Sequence, residues 1–425
     1  VKIAYLNPGG ALGGAEMCLL DVLASLPTAR PDATAVVILG EDGPLRHEVE
    51  AMGIACEVLP LPGGVARLGD AGATGLSAKL KLMARGFVAA TSTVTYVQRL
   101  SSKLRSLKVN LIQSNGMKMH LLGTWSVPVG VPVIWHLHDY LGSRAAMARL
   151  LKLVARPGVS GVAVSRSVAD DARATLGGRV PITAIYNAID TQRFSPGPSN
   201  AGSLDQAAGL GEPPAGTVRV GLVATFATWK GHDVFLEAVA KVPTDRLARF
   251  YVVGGPIYTS TGSQRGLEDL KARAVELGVS HRVAFTGHQA DPARVLRSLD
   301  VVVHASTRPE PFGRVIVEGM SCGAAVVAMN EGGAAELFVD GQDALGCTPR
   351  DPAALAQVIT RLIDDATLRA RIGQAGRLSV LTRFDRSRLG QEWAPIYNAA
   401  ASSSANQFKQ RPATVPESPA IRTNS

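Results

Sequence analysis

The stretch Arg308-Pro309-Glu310-Pro311-Phe312-Gly313-Arg314-Val315-Ile316-Val317-Glu318 holds two carboxylates with seven residues between them. Prolines on both sides of Glu310 keep it extended, and a helix opening at Phe312 or Gly313 carries Glu318 on its second turn. At ~1.5 Å rise per residue the two carboxylates stand on the order of 10 Å apart. Two acids attacking one glycosidic bond by a covalent route need ~5 Å, so this spacing suits a grip on the two ends of a nucleotide sugar. The helix N-terminus between them then faces the phosphates. Lys230, in Thr225-Phe226-Ala227-Thr228-Trp229-Lys230-Gly231, is placed to neutralise a diphosphate leaving group; a solvated surface lysine is the plainer reading. Glu331-Gly332-Gly333-Ala334-Ala335-Glu336 is a second anion cradle, in which Gly332 and Gly333 bring backbone N–H groups to a phosphate. Asn7-Pro8-Gly9-Gly10-Ala11-Leu12-Gly13-Gly14-Ala15-Glu16 offers the same at the start of a helix, although neither GxGxxG nor a Walker pattern is present and a turn without ligand is the competing reading. His136-Leu137-His138-Asp139 invites a metal reading, but alternate residues of an extended segment share a side and no second cluster supplies ligands. No metal is expected, and His138 falls where a ligand would lie.

These residues need strand ends to hold them. Short β-branched runs alternate with longer helical patterns, which points to βαβ units and parallel sheets. Strands are expected at 1–6, 34–39, 109–113, 131–137, 160–164 and 182–186, then at 218–224, 249–254, 282–285, 300–303 and 325–328. Helices are expected at 15–26, 166–176, 233–241, 265–277, 291–298 and 352–365. In an open α/β sheet ligands gather at the carboxyl ends of strands, where His138 and Lys230 fall. Residues 195–217 are rich in Pro, Gly, Ser and Ala and read as a mobile linker; the tail from 400 reads as disordered. The expected divisions are 1–190, a linker at 191–217, 218–383, a crossing segment at 384–399 and a tail at 400–425.

Composition excludes several classes. The 425 residues exceed one compact core, and 46% hydrophobic with 19% charged residues is ordinary globular chemistry. Aromatics are 5%, so Val, Leu, Ile and Ala must build the core, as buried parallel sheets allow. Cys18, Cys56, Cys322 and Cys347 form no CxxC or His/Cys cluster and read as reduced thiols of a cytosolic protein. The chain opens directly into a strand, so no signal peptide is expected, and no apolar run reaches the ~18 residues of a membrane span. The net charge of +9 fits anionic small molecules or an anionic membrane; no zinc-finger, RNP-like or aromatic-interleaved basic stretch supports nucleic acid. Residues 76–108 interleave Lys79, Lys81, Arg85, Arg99, Lys103, Arg105 and Lys108 with apolar residues. Two readings stand: an amphipathic helix or helix pair on an anionic membrane, or a solvated helix face over the sheet.

In combination and order, these motifs resemble the retaining glycosyltransferases of family 4, which have the GT-B fold. The likeness runs to about residue 399. It rests on Glu310 and Glu318 with Phe-Gly after the first, Gly13-Gly14-Ala15-Glu16, His138 six residues after Pro132, Tyr186-Asn187-Ala188-Ile189-Asp190-Thr191-Gln192-Arg193-Phe194, and the turn at 331–336. The resemblance implies two Rossmann-like domains facing a central cleft, with the C-terminal helix crossing back to the first. It implies that Glu318 holds the ribose, and that Glu310 with the backbone of Phe312 and Gly313 holds the donor sugar. Gly13, Gly14, Lys230, Gly332 and Gly333 would line the phosphates, His138 would lie by the transferred sugar, and the base would rest near Arg282, Val283 and Phe285. His138, Glu310 and Lys230 are then the expected catalytic set. Where the family carries an arginine, Thr225 stands; Arg308 or Arg314 are the substitutes at hand.

The activity so implied is metal-independent, configuration-retaining transfer of a hexosyl group from a nucleotide diphosphate sugar, a substrate and not a cofactor, to a glycan or lipid-linked hydroxyl in surface polysaccharide or glycolipid synthesis. The protein's task is then electrostatic. The expected location is cytoplasmic, with the inner membrane face as a docking surface. A nucleotide-sugar epimerase of the same architecture and a catalytically silent nucleotide-sugar-binding protein are the rival readings.

Overall fold

The computed structural model describes residues 1–63, 76–128, 130–198, 201–256 and 264–409, with the side chains of 76–90, 201 and 403–409 outside the description. Seven strands, β1 (Lys2–Asn7), β2 (Thr34–Leu39), β3 (Ala55–Val58), β4 (Leu111–Asn115), β5 (Val133–Leu137), β6 (Val159–Ala163) and β7 (Ile182–Ala184), form a parallel sheet in the order β3-β2-β1-β4-β5-β6-β7. A second parallel sheet joins β8 (Val218–Val223), β9 (Ala248–Val253), β10 (Val283–Gly287), β11 (Val301–His304), β12 (Ala325–Met329) and β13 (Leu345–Cys347) in the order β10-β9-β8-β11-β12-β13. Strand order reverses between β1 and β4 and between β8 and β11, which opens a crevice at the carboxyl edge of each sheet.

Alternation along the strands explains why both faces are covered. Ile3 and Tyr5 pack with Leu19, Val22 and Trp393, whereas Ala4 and Leu6 enter the core on the opposite face. Purely parallel sheets need such double burial. Neither β3 nor β13 was expected. β3 is a half-buried edge strand of four residues and β13 spans three, too short for a period of two to stand out.

The described residues between 195 and 217 include ordered structure where a mobile linker was expected. A helix at Ala201–Ala207 buries Leu204 and Asp205. Asp205 accepts from Arg249 Nη1 at 2.7 Å, Arg219 Nη2 at 3.1 Å and Tyr251 Oη at 2.6 Å. Burial opposes its ionisation, but Tyr251 and the two arginines hold it below the usual carboxylate range. Composition suggested mobility; one buried ion cluster overrides it.

The chain recrosses after the helix Ala366–Arg383. Ile189 N–H donates to Phe384 O at 2.9 Å, and Arg386 N–H to Ile189 O at 3.0 Å. Helix Leu389–Lys409 then lies on helix Gly14–Ala29, with Trp393, Tyr397 and Ala400 buried at helical spacing. It continues through Lys409, which corrects a disordered tail starting at 400; residues 410–425 lie outside the description. Residues 76–106 form one helix and not a helix pair. Tyr96, Leu100 and Leu104 are buried against the first sheet, and Lys103 pairs with Glu57. The side chains of Lys79, Lys81 and Arg85 lie outside the description. No described helix is long and apolar enough to cross a membrane.

Candidate active site

Glu310 follows β11 in an extended loop held by Gly333 N–H, which donates to Glu310 O at 2.8 Å. Its carboxylate accepts from Lys230 Nζ at 2.6 Å and Ser306 Oγ at 2.6 Å, with His304 Nε2 at 3.4 Å. Burial alone would raise its pKa, but the Lys230 ammonium and then His304 hold it well below the usual carboxylate range. Lys230 closes a short turn, Thr228–Lys230, and Gly231 after it has φ 75°. A Cβ on Gly231 would stand 1.8 Å from the Ala305 carbonyl oxygen. Only glycine lets the loop after β8 lie against the loop after β11, and that approach brings lysine to glutamate.

Gly313, at φ 97°, caps helix Arg314–Ser321. Arg314 is spent on the other half of the molecule: Nη1 donates to Asp21 Oδ2 at 2.8 Å and to Ala188 O at 3.1 Å, while Nε reaches Glu318 Oε1 at 3.1 Å. Burial raises the pKa of Glu318 even with Arg314 beside it. Arg314 is thus no free substitute for the arginine missing at Thr225, because two buried carboxylates already claim it. Thr225 Oγ1 is enclosed without a partner among the described residues. Arg308 is exposed, with its guanidinium 6.0 Å from the centroid of the Trp229 ring, next in the chain to Lys230.

The first half supplies Gly14, His138 and Tyr140. Gly13 N–H donates to its own helix's Glu16 Oε2 at 3.2 Å, so it is not the open phosphate donor expected. Gly14 faces Arg314, whose Cδ would lie 4.0 Å from a Cβ there. His138, just past β5, has its ring 4.1 Å from that of His136; burial lowers its pKa to about 4 and keeps it neutral. Tyr140 Oη donates to Glu310 O at 3.2 Å and accepts Gly333 N–H at 3.1 Å. Gly333 therefore joins the two halves instead of offering an open anion cradle. A Cβ on Gly332 would meet Tyr140 Oη at 2.6 Å. Glu336 accepts from the backbone N–H of Arg166 and Ser167 at 3.0 and 2.7 Å, and from Tyr186 Oη at 2.7 Å, capping helix Arg166–Leu176 of the opposite half.

Arg282 is misplaced by sequence reasoning. It precedes β10, so it sits at the amino edge, where it donates to Val239, Val242 and Pro243 carbonyls at the end of helix His232–Lys241 and lies over Phe250. Val283 opens the same strand and is buried. The carboxyl edge belongs to Thr286, Gly287 and His288, one to three positions beyond the expected Phe285.

Residues 12–193 match the model of Glycosyltransferase Family 4, and residues 212–379 that of Glycosyl transferases group 1. The two halves of the chain thus resemble, in order, the two halves of a family 4 type glycosyltransferase. It is 32% identical over 242 residues to a D-inositol 3-phosphate glycosyltransferase of Stackebrandtia nassauensis, covering 55% of this chain and 52% of that protein. It is 29% identical over 222 residues to a GDP-mannose-dependent alpha-(1-6)-phosphatidylinositol monomannoside mannosyltransferase of Mycolicibacterium smegmatis, covering 49% and 54%. The chain spans about half the length of the curated relatives it matches. Among solved structures, Anabaena HepE in complex with UDP superposes with a TM-score of 0.75 at 28% identity, over 94% of this chain and 100% of that one. Sucrose-phosphate synthase from Thermosynechococcus elongatus shares the fold, with a TM-score of 0.71 at 18% identity, over 95% and 99%. The GT-B architecture read from the motifs is the one observed.

Sequence spacing pointed to Lys230, Glu310 and Glu318, and folding brings Lys230 against Glu310. It missed Asp21, His304, Ser306 and Tyr140, and it placed Glu336 in the turn at 331–336 without a role of its own. Asp21 had a signal, being a lone carboxylate inside the apolar run Leu19-Leu20-Asp21-Val22-Leu23. His304, Ser306 and Tyr140 are ordinary loop and strand-end residues until folding brings them to the cleft.

Proposed function

We propose that the chain transfers a hexosyl group from a nucleotide diphosphate sugar to a glycan or lipid-linked hydroxyl, with retention of configuration and without a divalent ion. The observation that carries this is the Lys230–Glu310 pair at 2.6 Å, formed where the loops after β8 and β11 meet and facing the first half through Tyr140. Lys230 would neutralise the departing diphosphate, Glu310 would hold the sugar hydroxyls, and Glu318 the ribose. His138, kept neutral by burial, would line the transferred sugar. With the diphosphate oxygen taking the acceptor proton, the chain's own contribution is electrostatic stabilisation of the departing phosphates. HepE, crystallised with UDP and with UDP-glucose, makes UDP-hexoses the first donors to try. Calorimetric titration with UDP, followed by NMR of the product's anomeric centre from UDP-glucose and a lipid-linked acceptor, tests the reading. An inverted product, or activity abolished by EDTA and restored by magnesium, overturns the corresponding part of it.

A further inference from the structure

Asn7 ends β1 and Asn115 ends β4, the two strands between which the order of the first sheet reverses. Leu6 is registered with Ser114, and Asn115 with His136. Asn7, Asn115 and His136 therefore stand side by side and project from one face, on strands ~4.8 Å apart. Both asparagines are buried, at 0% and 1% exposure. The orientation of the Asn7 amide is determined, because its Nδ2 donates to Gly9 O at 2.7 Å and to Glu16 Oε1 at 3.3 Å. Its Oδ1 is enclosed with no partner among the described residues, and neither Nδ2 nor Oδ1 of Asn115 has one. His138 Nε2, on the same edge, is also unpartnered. The two amides do not bond each other although their strands are adjacent.

Buried amide atoms carry their full desolvation penalty unless something meets them. This set needs two donors for the two Oδ1 atoms and one acceptor for Asn115 Nδ2. A pair of hydroxyls supplies both: each O–H donates to one Oδ1, and one oxygen accepts from Nδ2. An ionised phosphate or carboxylate only accepts, and would be repelled by both Oδ1 atoms. The Glu16 carboxylate beside Asn7 disfavours an anion further. Gly13, which shares Glu16 with Asn7, leads to Gly14 and so to Arg314 of the second half, which places these amides under the cleft.

We infer that Asn7 and Asn115, with His138 at the rim, form a subsite for vicinal hydroxyls of an uncharged polyol, a sugar or cyclitol ring. Its role, holding the acceptor beside the donor, rests on the proposed transferase reading; the chemistry of its ligand does not. Asn115→Leu removes both unmet atoms at similar volume, and Asn115→Thr serves if the leucine variant does not fold, with UDP affinity reporting an intact donor side. Saturation-transfer NMR of UDP-saturated protein is run with myo-inositol, methyl α-glucoside, methyl α-mannoside and, for comparison, glucose 6-phosphate. The expected result is that a neutral polyol binds the parent and binds the Asn115 variant about tenfold more weakly or worse, with UDP affinity unchanged. Equal polyol binding by parent and variant overturns the inference and leaves an enclosed structural water as the occupant. No neutral polyol binding to the parent, or an Asn115-dependent preference for the phosphorylated sugar, overturns it as well. Failure of the parent to bind UDP is a different result and sinks the donor reading instead.

Discussion

Lys230 and Glu310 each offset what the other would cost. A carboxylate at 13% exposure is stable as an anion only because an ammonium and two hydrogen-bonding side chains surround it, and in the proposed function the same ammonium meets the diphosphate. Lys230→Ala is expected to lower transfer by about 10²–10³-fold, the usual cost of removing one charge-stabilising donor, and to weaken UDP binding. Unchanged calorimetric affinity for UDP would show that the phosphates lie elsewhere. Thr225→Arg places a second cation behind Lys230. Since Arg314 is already bound to Asp21 and Glu318, a gain in turnover that grows in an Arg308→Ala background identifies Arg308 as the present substitute. His232 has a different character. Both its ring nitrogens are enclosed without partners among the described residues, and burial lowers its pKa to about 4. The unfolded chain takes up this proton below ~6.5, whereas the folded chain resists it. Stability from this group is therefore full above that value and is lost as pH falls toward about 4. In His232→Phe the fall in Tm between pH 7 and pH 5 should shrink; a parallel curve would show that the ring does not titrate on unfolding.

The elements that position these residues are short turns closed by glycine. The turn Thr228–Lys230 ends at Gly231, whose left-handed φ and contact with Ala305 O exclude any side chain. Gly231→Ala should destabilise by more than the ~1 kcal/mol of a simple conformational penalty, because the loops after β8 and β11 must part, and Lys230 should lose Glu310 with them. Chemical denaturation and UDP titration check both effects; a variant with parent-like stability and UDP affinity would show that the approach of the two loops is dispensable. Helix Arg314–Ser321 is simpler to read, since an apolar stripe of Ile316, Val317 and Met320 is buried while Glu318 looks to the cleft. Its place in the sequence was legible because periodicity is local. β3 and β13 were not, because edge strands of four and three residues owe their form to their neighbours.

Across the whole molecule, the two sheets are joined by the C-terminal helix on one side and by polar contacts over the cleft on the other. Arg314 carries the most buried of these, and removing it takes from Asp21 and Glu318 the guanidinium that pairs with both. Arg314→Met should cost about 3–5 kcal/mol, as breaking a buried pair does, and a shift in Tm measures it. Tyr140→Phe removes the hydrogen bonds to Glu310 O and Gly333 N–H across the cleft and the one to Ser167 Oγ within its own half. It should leave Tm nearly unchanged and increase the radius of gyration in small-angle scattering without UDP. An unchanged radius would show that the Arg314 and Glu336 contacts hold the halves without Tyr140.

The sequence by itself determined the alternation of strands and helices, the division into two parallel-sheet halves, and the place of Lys230, Glu310 and Glu318 at strand ends and on a helix. These follow from hydrophobic period, from proline and glycine, and from spacing along a few turns, all of which are properties of neighbouring residues. Tertiary structure alone decided which partner each charge takes. Arg314 reaches Asp21, 293 positions distant; Arg282 goes to the amino edge of its sheet; Gly333 shares its N–H between Glu310 O and Tyr140; and Asp205 anchors a segment whose composition reads as a linker. A buried ion must find its counter-charge wherever folding brings one within hydrogen-bonding reach, since water is no longer there to solvate it. That reach depends on how two sheets and a returning helix meet, which no local pattern in the chain encodes.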